Sequence, residues 1–340
     1  MTEQLVRPTT SVKYHQSPSK IESDTISINL TSENSMTSAQ DLLQQAIRQI
    51  ESVILSKRKE ITLSIACLLA GGHLLLEDLP GMGKTTLAIA LARVFSLPFN
   101  RVQFTSDLLP ADLLGSNIFN PQKNQFTLQK GPIFTSLLLA DELNRATPKS
   151  QSALLQAMEE AQVSIDGTTY GLPKPFFVIA TQNPIDQAGT YPLPESQLDR
   201  FLISLSLGFP DSKQERLLLT GDVGRAQLLA LKTVITDGHL LKMQKRVKEV
   251  SISEPVLDYL QTLIHETRNS SEIIMGLSPR GAVALARMAR AWAYIEGRTY
   301  LIPEDVATVF PFVAQHRIVL RDNLDKHHWI RQLLGRIAKI

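Results

Sequence analysis

A chain of 340 residues allows two domains, or one large domain with a lid; 43% hydrophobic against 20% charged residues is a globular balance with ample apolar material for a core. A net charge of +2 creates no field that would mark a nucleic-acid binder, and the one cysteine, Cys67, excludes a disulfide framework and points to a reducing compartment. Residues 1–36 lack the apolar segment of a signal peptide, and the stretch 61–76, broken by Gly71-Gly72-His73, is shorter than the roughly 20 residues of a membrane span, so a cytoplasmic protein without one is expected.

Residues 1–36 are rich in Ser, Thr, Gln and charge, which predicts a disordered tail. From residue 38, Leu42, Leu43, Ile47, Ile50 and Ile54 recur at the spacing of one helical face. A second helix over 57–70 stops at Gly71-Gly72, and Cys67 within it reads as a small buried hydrophobe. Strand and helix then alternate: a strand at 73–77, a helix at 85–95, strands at 99–104 and 136–140, a helix at 149–161, strands at 176–180 and 203–207. Continuous apolar strands between helices predict an α/β fold with a parallel sheet covered on both faces. Two hairpins interrupt it, at 116–130 and at 162–173, the second turning at Asp166-Gly167.

Beyond Pro210 the pattern is helical. Val256, Leu260, Leu263 and Ile264 mark one buried face, Leu285, Met288, Trp292 and Ile295 another, and Pro303-Glu304-Asp305 opens a third helix with acids suited to its dipole. Ile330, Leu333, Leu334 and Ile337 predict a last helix packed on this region, and His327-His328 reads as solvated rather than metal-binding. The expected organisation is a tail at 1–36, an α/β core at 37–210 and a small all-helical lid domain at 211–340.

Asp78-Leu79-Pro80-Gly81-Met82-Gly83-Lys84-Thr85 lies between a predicted strand and a predicted helix, the context in which a phosphate-loop motif has meaning. Gly81 and Gly83 free the backbone to turn N–H groups toward phosphate, and the following helix aims its dipole at the anion. Pro80 to Thr86 are therefore expected to bind ATP, with Lys84 on the β- and γ-phosphates and the Thr85 hydroxyl on Mg²⁺. The strict pattern has Gly at position 78; a carboxylate there is unfavourable beside triphosphate unless it points away.

Leu137-Leu138-Leu139-Ala140-Asp141-Glu142 is an apolar strand ending in two acids, which in such folds lie beside the phosphate loop. Asp141 is expected to hold Mg²⁺ through its waters and Glu142 to polarise the attacking water. A second apolar strand ends in Thr181-Gln182-Asn183-Pro184, where Asn183 could orient that water or touch the γ-phosphate. Arg200 and Arg280 could each stabilise phosphate charge, although taken alone each is better read as half of a surface salt bridge.

These blocks carry a resemblance. Over nearly all of 38–320 the chain resembles the MoxR group of AAA+ ATPases, through Gly72-His73-Leu74-Leu75-Leu76-Glu77-Asp78, Ala140-Asp141-Glu142-Leu143-Asn144-Arg145-Ala146, Ala180-Thr181-Gln182-Asn183-Pro184, Tyr191-Pro192-Leu193-Pro194-Glu195, Gly297-Arg298 and Pro303-Glu304-Asp305-Val306. The resemblance implies a P-loop AAA+ core, Asn183 as first sensor, Arg280 as the second sensor that reports nucleotide from the lid, and Arg200 as the finger that enters a neighbour's site. It also implies a homo-oligomeric ring of six subunits, hairpins that act on a client, and a chaperone-like role with a partner carrying a von Willebrand factor A domain, in assembly, maturation or metal insertion. Where relatives often have Gly-Gln before the second helix this chain has Ser56-Lys57, which leaves the adenine contacts open. A nucleic-acid motor would need basic hairpins, and only Lys123 and Lys130 fall in 116–131 and none in 162–173. A non-hydrolysing scaffold sits badly with intact Lys84, Asp141, Glu142 and Arg200.

Overall fold

The structure, a computed structural model, describes residues 34–340 apart from 123, 184–188, 221–224, 322–323 and 338–340. The tail expected at 1–36 thus lies outside the described residues up to 33, as do Pro184 and Lys123. Helix α1 (Asn34–Glu51) starts inside that expected tail, because apolar periodicity marks a helix's buried face and not its first turn.

After α1 and α2 (Arg58–Leu69) come β1 (Leu74–Glu77), α3 (Lys84–Val94), β2 (Phe99–Gln103), a short α4 (Pro110–Leu114) and the hairpin β3–β4 (Gly115–Asn120, Gln125–Lys130). Then follow β5 (Leu137–Asp141), α5 (Pro148–Glu160), the hairpin β6–β7 (Gln162–Ile165, Thr168–Gly171), β8 (Phe177–Gln182), α6 (Glu195–Leu198) and β9 (Ile203–Leu205). The five parallel strands lie in the order β2-β5-β8-β1-β9. At the β6–β7 turn Asp166 and Gly167 both have positive φ, 48° and 79°, as a two-residue Asp-Gly turn requires.

Successive side chains of a strand point to opposite faces, and here both faces are apolar. Leu74, Leu76, Leu137, Leu139, Phe177 and Ile179 pack with α1, α2 and α3 on one side, where Cys67 is fully buried. Leu75, Leu138, Ala140, Val178 and Ala180 pack on the other with Leu154, Leu155 and Met158 of α5 and with the β6–β7 hairpin.

From Ser212 the elements are α7 (Ser212–Thr220), α8 (Arg225–Ala230), α9 (Asp237–Glu249), α10 (Glu254–Asn269), β10 (Ile273–Met275), α11 (Pro279–Ile295), α12 (Pro303–Ala314), β11 (Val319–Leu320) and α13 (Lys326–Ile337). This region is helical as expected apart from one short addition, β10 and β11, which pair antiparallel; runs of three and two residues are too short to show alternation. Val256, Leu260, Leu263, Leu285, Met288 and Ile295 are buried as expected, and so are Ile330, Leu333 and Ile337.

One buried cation joins this region to the sheet. Arg317, only 4% exposed, donates to Asp199 Oδ1 (2.7 Å) and to the carbonyls of Asp199, Phe201, Leu202 and Val313. Ser278 Oγ donates to the other oxygen of Asp199 (2.7 Å), so the segment carrying Arg200 is clamped from both α11 and the end of α12.

Candidate functional site

The chain turns sharply between β1 and α3. Gly81 and Gly83 have φ of 85° and 87°, and a Cβ added at either would meet no atom within 4 Å, so backbone conformation and not packing demands glycine there. The first bond of α3 runs from the N–H of Leu87 to the carbonyl of Gly83, which leaves the N–H groups of Gly83, Lys84, Thr85 and Thr86 free of helical partners and suited to an anion. Lys84 Nζ folds back onto its own loop, donating to the carbonyls of Asp78 (2.5 Å) and Leu79 (3.3 Å). Partial burial lowers its pKa, opposed by the negative charges of Asp78, Asp141 and Glu142.

The departure at position 78 is resolved by where its carboxylate points. Asp78 is buried and accepts from Ser206 Oγ (2.6 Å) and the N–H groups of Leu207 (2.5 Å) and Gly208 (3.1 Å), away from the loop. It therefore ties the loop to the segment after β9. Replacing a charged acceptor of three donors removes bonds worth about 2 kcal/mol. Asp78→Asn is expected to lower the unfolding free energy by about that amount in urea denaturation; an unchanged midpoint would refute the tether.

Two neighbouring strands bring the acids to this loop. β8 lies between β1 and β5, so the ends of all three carry Asp78, Asn183 and the pair Asp141-Glu142 side by side. Thr181 bridges the acids: its Oγ1 donates to Asp141 Oδ1 (2.6 Å) and accepts from the N–H of Glu142 (2.8 Å). The other oxygen of Asp141 takes Arg101 Nη2 (2.6 Å) and Nε (3.1 Å). Glu142 sits in the left-handed region, φ 55° and ψ 49°, a strain of about 1–3 kcal/mol for a non-glycine residue. Its Oε2 accepts from Gln103 Nε2 (2.7 Å) and pairs with Arg145 (3.0 Å). Asn183 is buried directly after β8.

Sequence reasoning missed Gln103, Arg101 and Thr181. The signal for the first two was positional: β2 pairs with β5 in a register that sets Gln103 opposite Asp141. Among the described residues no group of three or more His, Cys, Asp or Glu side chains could hold a metal, and His327 and His328 are exposed. The fit for Mg²⁺ is of another kind. Mg²⁺ keeps several waters and takes one or two carboxylates plus substrate phosphates, and Asp141 here already holds a cationic group against one oxygen.

Beside the loop a slot of about 200 Å³ is lined by Val53, Ile54, Leu55, Lys57, Gly81, Met82, Gly83, Thr86, Gly208, Pro210 and Gln214. Lys57 reaches across it, Nζ donating to the carbonyl of Phe209 (3.0 Å). The segment that departs at Ser56-Lys57 thus still lines this mostly apolar slot.

Arg200 and Arg280 are brought together, but not to this loop. Both pair with Glu159 near the end of α5, Arg200 through Nη2 at 3.2 Å and Arg280 in a shorter contact. They line a cavity of about 690 Å³ with Gly71, Gly72 and His73, which precede β1, whereas the loop follows it. Five residues of extended chain separate His73 from Asp78 by about 16 Å. The start of α11 thus meets the end of α5 through the Arg280–Glu159 pair, at the end of the strands opposite the loop.

A family profile described as "ATPase family associated with various cellular activities (AAA)" matches residues 73–203, and one described as "AAA lid domain" matches residues 265–331. The chain is 44% identical over 279 residues to the uncharacterized protein YeaC of Bacillus subtilis, covering 82% of this chain and 87% of that one. It is 39% identical to Chaperone MoxR1 of Mycobacterium tuberculosis (82% and 76% covered) and 31% identical to Protein MoxR of Paracoccus denitrificans (80% and 86%). A crystal structure of a candidate ATPase from Cytophaga hutchinsonii superposes with a TM-score of 0.80 at 35% identity, covering 88% of this chain and 95% of that one. Phosphate loop, paired acids, parallel sheet and helical lid agree with these likenesses, and the chain belongs to the MoxR family of AAA+ ATPases.

Proposed function

We propose that this protein hydrolyses ATP at the loop 78–85, in a homo-oligomeric ring whose subunits complete one another's sites, and uses the cycle to remodel partner proteins. The observation that carries the reading is the alignment of phosphate loop, Asn183 and the two acids at the ends of the neighbouring strands β1, β8 and β5. In it the N–H groups of 83–86 and Lys84 bind the phosphates, and Glu142, held by Gln103 and Thr181, accepts the proton of the attacking water. Asn183 orients that water. Thr85 and Asp141 are the groups that would hold Mg²⁺, which when bound neutralises charge on the β- and γ-oxygens.

The converging arginines support the shared site. Two guanidinium groups at the end of the strands opposite their own loop suit a contact with the nucleotide of another copy, and a head-to-tail contact of that kind can close into a ring. Arg200 and Arg280 then act together across the interface. Family membership implies six subunits and a partner with a von Willebrand factor A domain, in the cytoplasm. Assembly, maturation or metal insertion of a client fits the same machinery.

The hairpins favour a polypeptide client over nucleic acid. Ile118, Phe119 and Phe126 are 48%, 47% and 70% exposed, and Asn117 Nδ2 donates to Asp166 Oδ2 (2.9 Å), joining the two hairpins. Lys130, the basic residue described there, lies over the ring of Phe134.

The test is ATP turnover against protein concentration, with mass by light scattering on the same samples. Specific activity rising as a multi-subunit species forms is expected. A monomer with flat, non-zero activity would refute the shared site.

A further inference from the structure

Gln214 is buried, 5% exposed, yet its amide nitrogen finds no hydrogen-bond partner among the described residues. A buried orphan donor costs free energy and calls for a partner that the protein alone does not supply. The residue lines the slot beside the phosphate loop, together with the apolar Val53, Ile54, Leu55 and Met82. Its position is fixed: Asp211 Oδ1 accepts from the N–H of Gln214 (2.9 Å), and the carbonyl of Asp211 from that of Glu215 (2.9 Å), which sets Gln214 in the first turn of α7. The slot also meets Gly83 and Thr86 of the loop, so a molecule with phosphates on the loop has its other end here.

From this we infer that Gln214 hydrogen-bonds the edge of the adenine ring and supplies the base-specific part of nucleotide binding, an inference that rests on the loop being an ATP site. The apolar walls take the faces of a flat ring, and they contribute the same to any base. A carboxamide offers donor and acceptor side by side, which matches the adjacent acceptor and donor on an adenine edge.

The test is Gln214→Leu, titrated calorimetrically in Mg²⁺ with ATP and with inorganic tripolyphosphate, which shares the phosphates and lacks the base. ATP affinity is expected to fall about tenfold while tripolyphosphate affinity stays within twofold. Replacing an orphan amide by an apolar group leaves the nucleotide-free protein no less stable, so its Tm is unchanged while the ATP-induced rise in Tm shrinks. Unchanged ATP affinity overturns the assignment. So does a parallel loss of both ligands, or a lowered Tm without ligand, which would mark a structural role. A wild-type protein that binds neither ligand defeats the ATP-site reading itself, and this one with it.

Discussion

Glu142→Gln is expected to bind MgATP as tightly as the wild type and to lose turnover by about 10³, within the range that a positioned general base supplies. The geometry explains why the two effects separate. Glu142 faces the site from the end of β5 and is not part of the phosphate loop, so binding by the N–H groups of 83–86 and by Lys84 does not draw on it. Gln is the same size and can still accept from Gln103 through its carbonyl oxygen, so the left-handed turn at 142 survives. What is lost is the ability to take a proton. The ion pair with Arg145 also goes, but Arg145 is part-exposed and such a pair contributes little. Phosphate release and calorimetric ATP binding on the same preparation make the check. Turnover within a factor of ten of wild type would remove Glu142 from its role as base; a matching loss of affinity would mean it shapes the loop instead.

What was legible in the sequence follows the range of the signals. The loop, the acid pair and the strands that carry them are contiguous, and each states its own conformation: Gly81 and Gly83 at the turn, Leu137-Leu138-Leu139-Ala140 for a strand buried on both faces, Asp166-Gly167 for a hairpin. Contacts between segments far apart in the chain were not legible. Gln103 on Glu142 depends on the pairing of β2 with β5, and Glu159 under Arg200 and Arg280 depends on where α11 docks, 121 residues later for Arg280. The carboxylate at 78 looked misplaced because its partners, Ser206 to Gly208, lie 128 to 130 residues away. The short pairing of β10 with β11 carried too few residues to leave a period.

The arginines are where the long-range geometry changes the chemistry, and Arg200→Ala puts that to trial. Turnover is expected to fall by about 10³ or more while each subunit keeps its nucleotide affinity, because an arginine acting across an interface is worth on the order of 10³–10⁵ in phosphoryl transfer. Arg200 sits ready for such a contact: Nη2 on Glu159 at 3.2 Å, Nε buried without a partner among the described residues, and the preceding Asp199 clamped by Arg317 and Ser278. Glu159 holds an anion's place between Arg200 and Arg280, which a neighbour's phosphate would fill more strongly. Mixing separates action on a neighbour from action within one chain. Subunits carrying Arg200→Ala keep Glu142, and subunits carrying Glu142→Gln keep Arg200; in a randomly mixed head-to-tail ring about a quarter of the sites then combine an intact Glu142 with a neighbour's intact Arg200. Two preparations that are inactive alone should therefore recover turnover when mixed and re-equilibrated. No recovery, in mixtures whose joint assembly is verified by light scattering, would mean that Arg200 serves its own chain, against its position at the end of the strands opposite the loop.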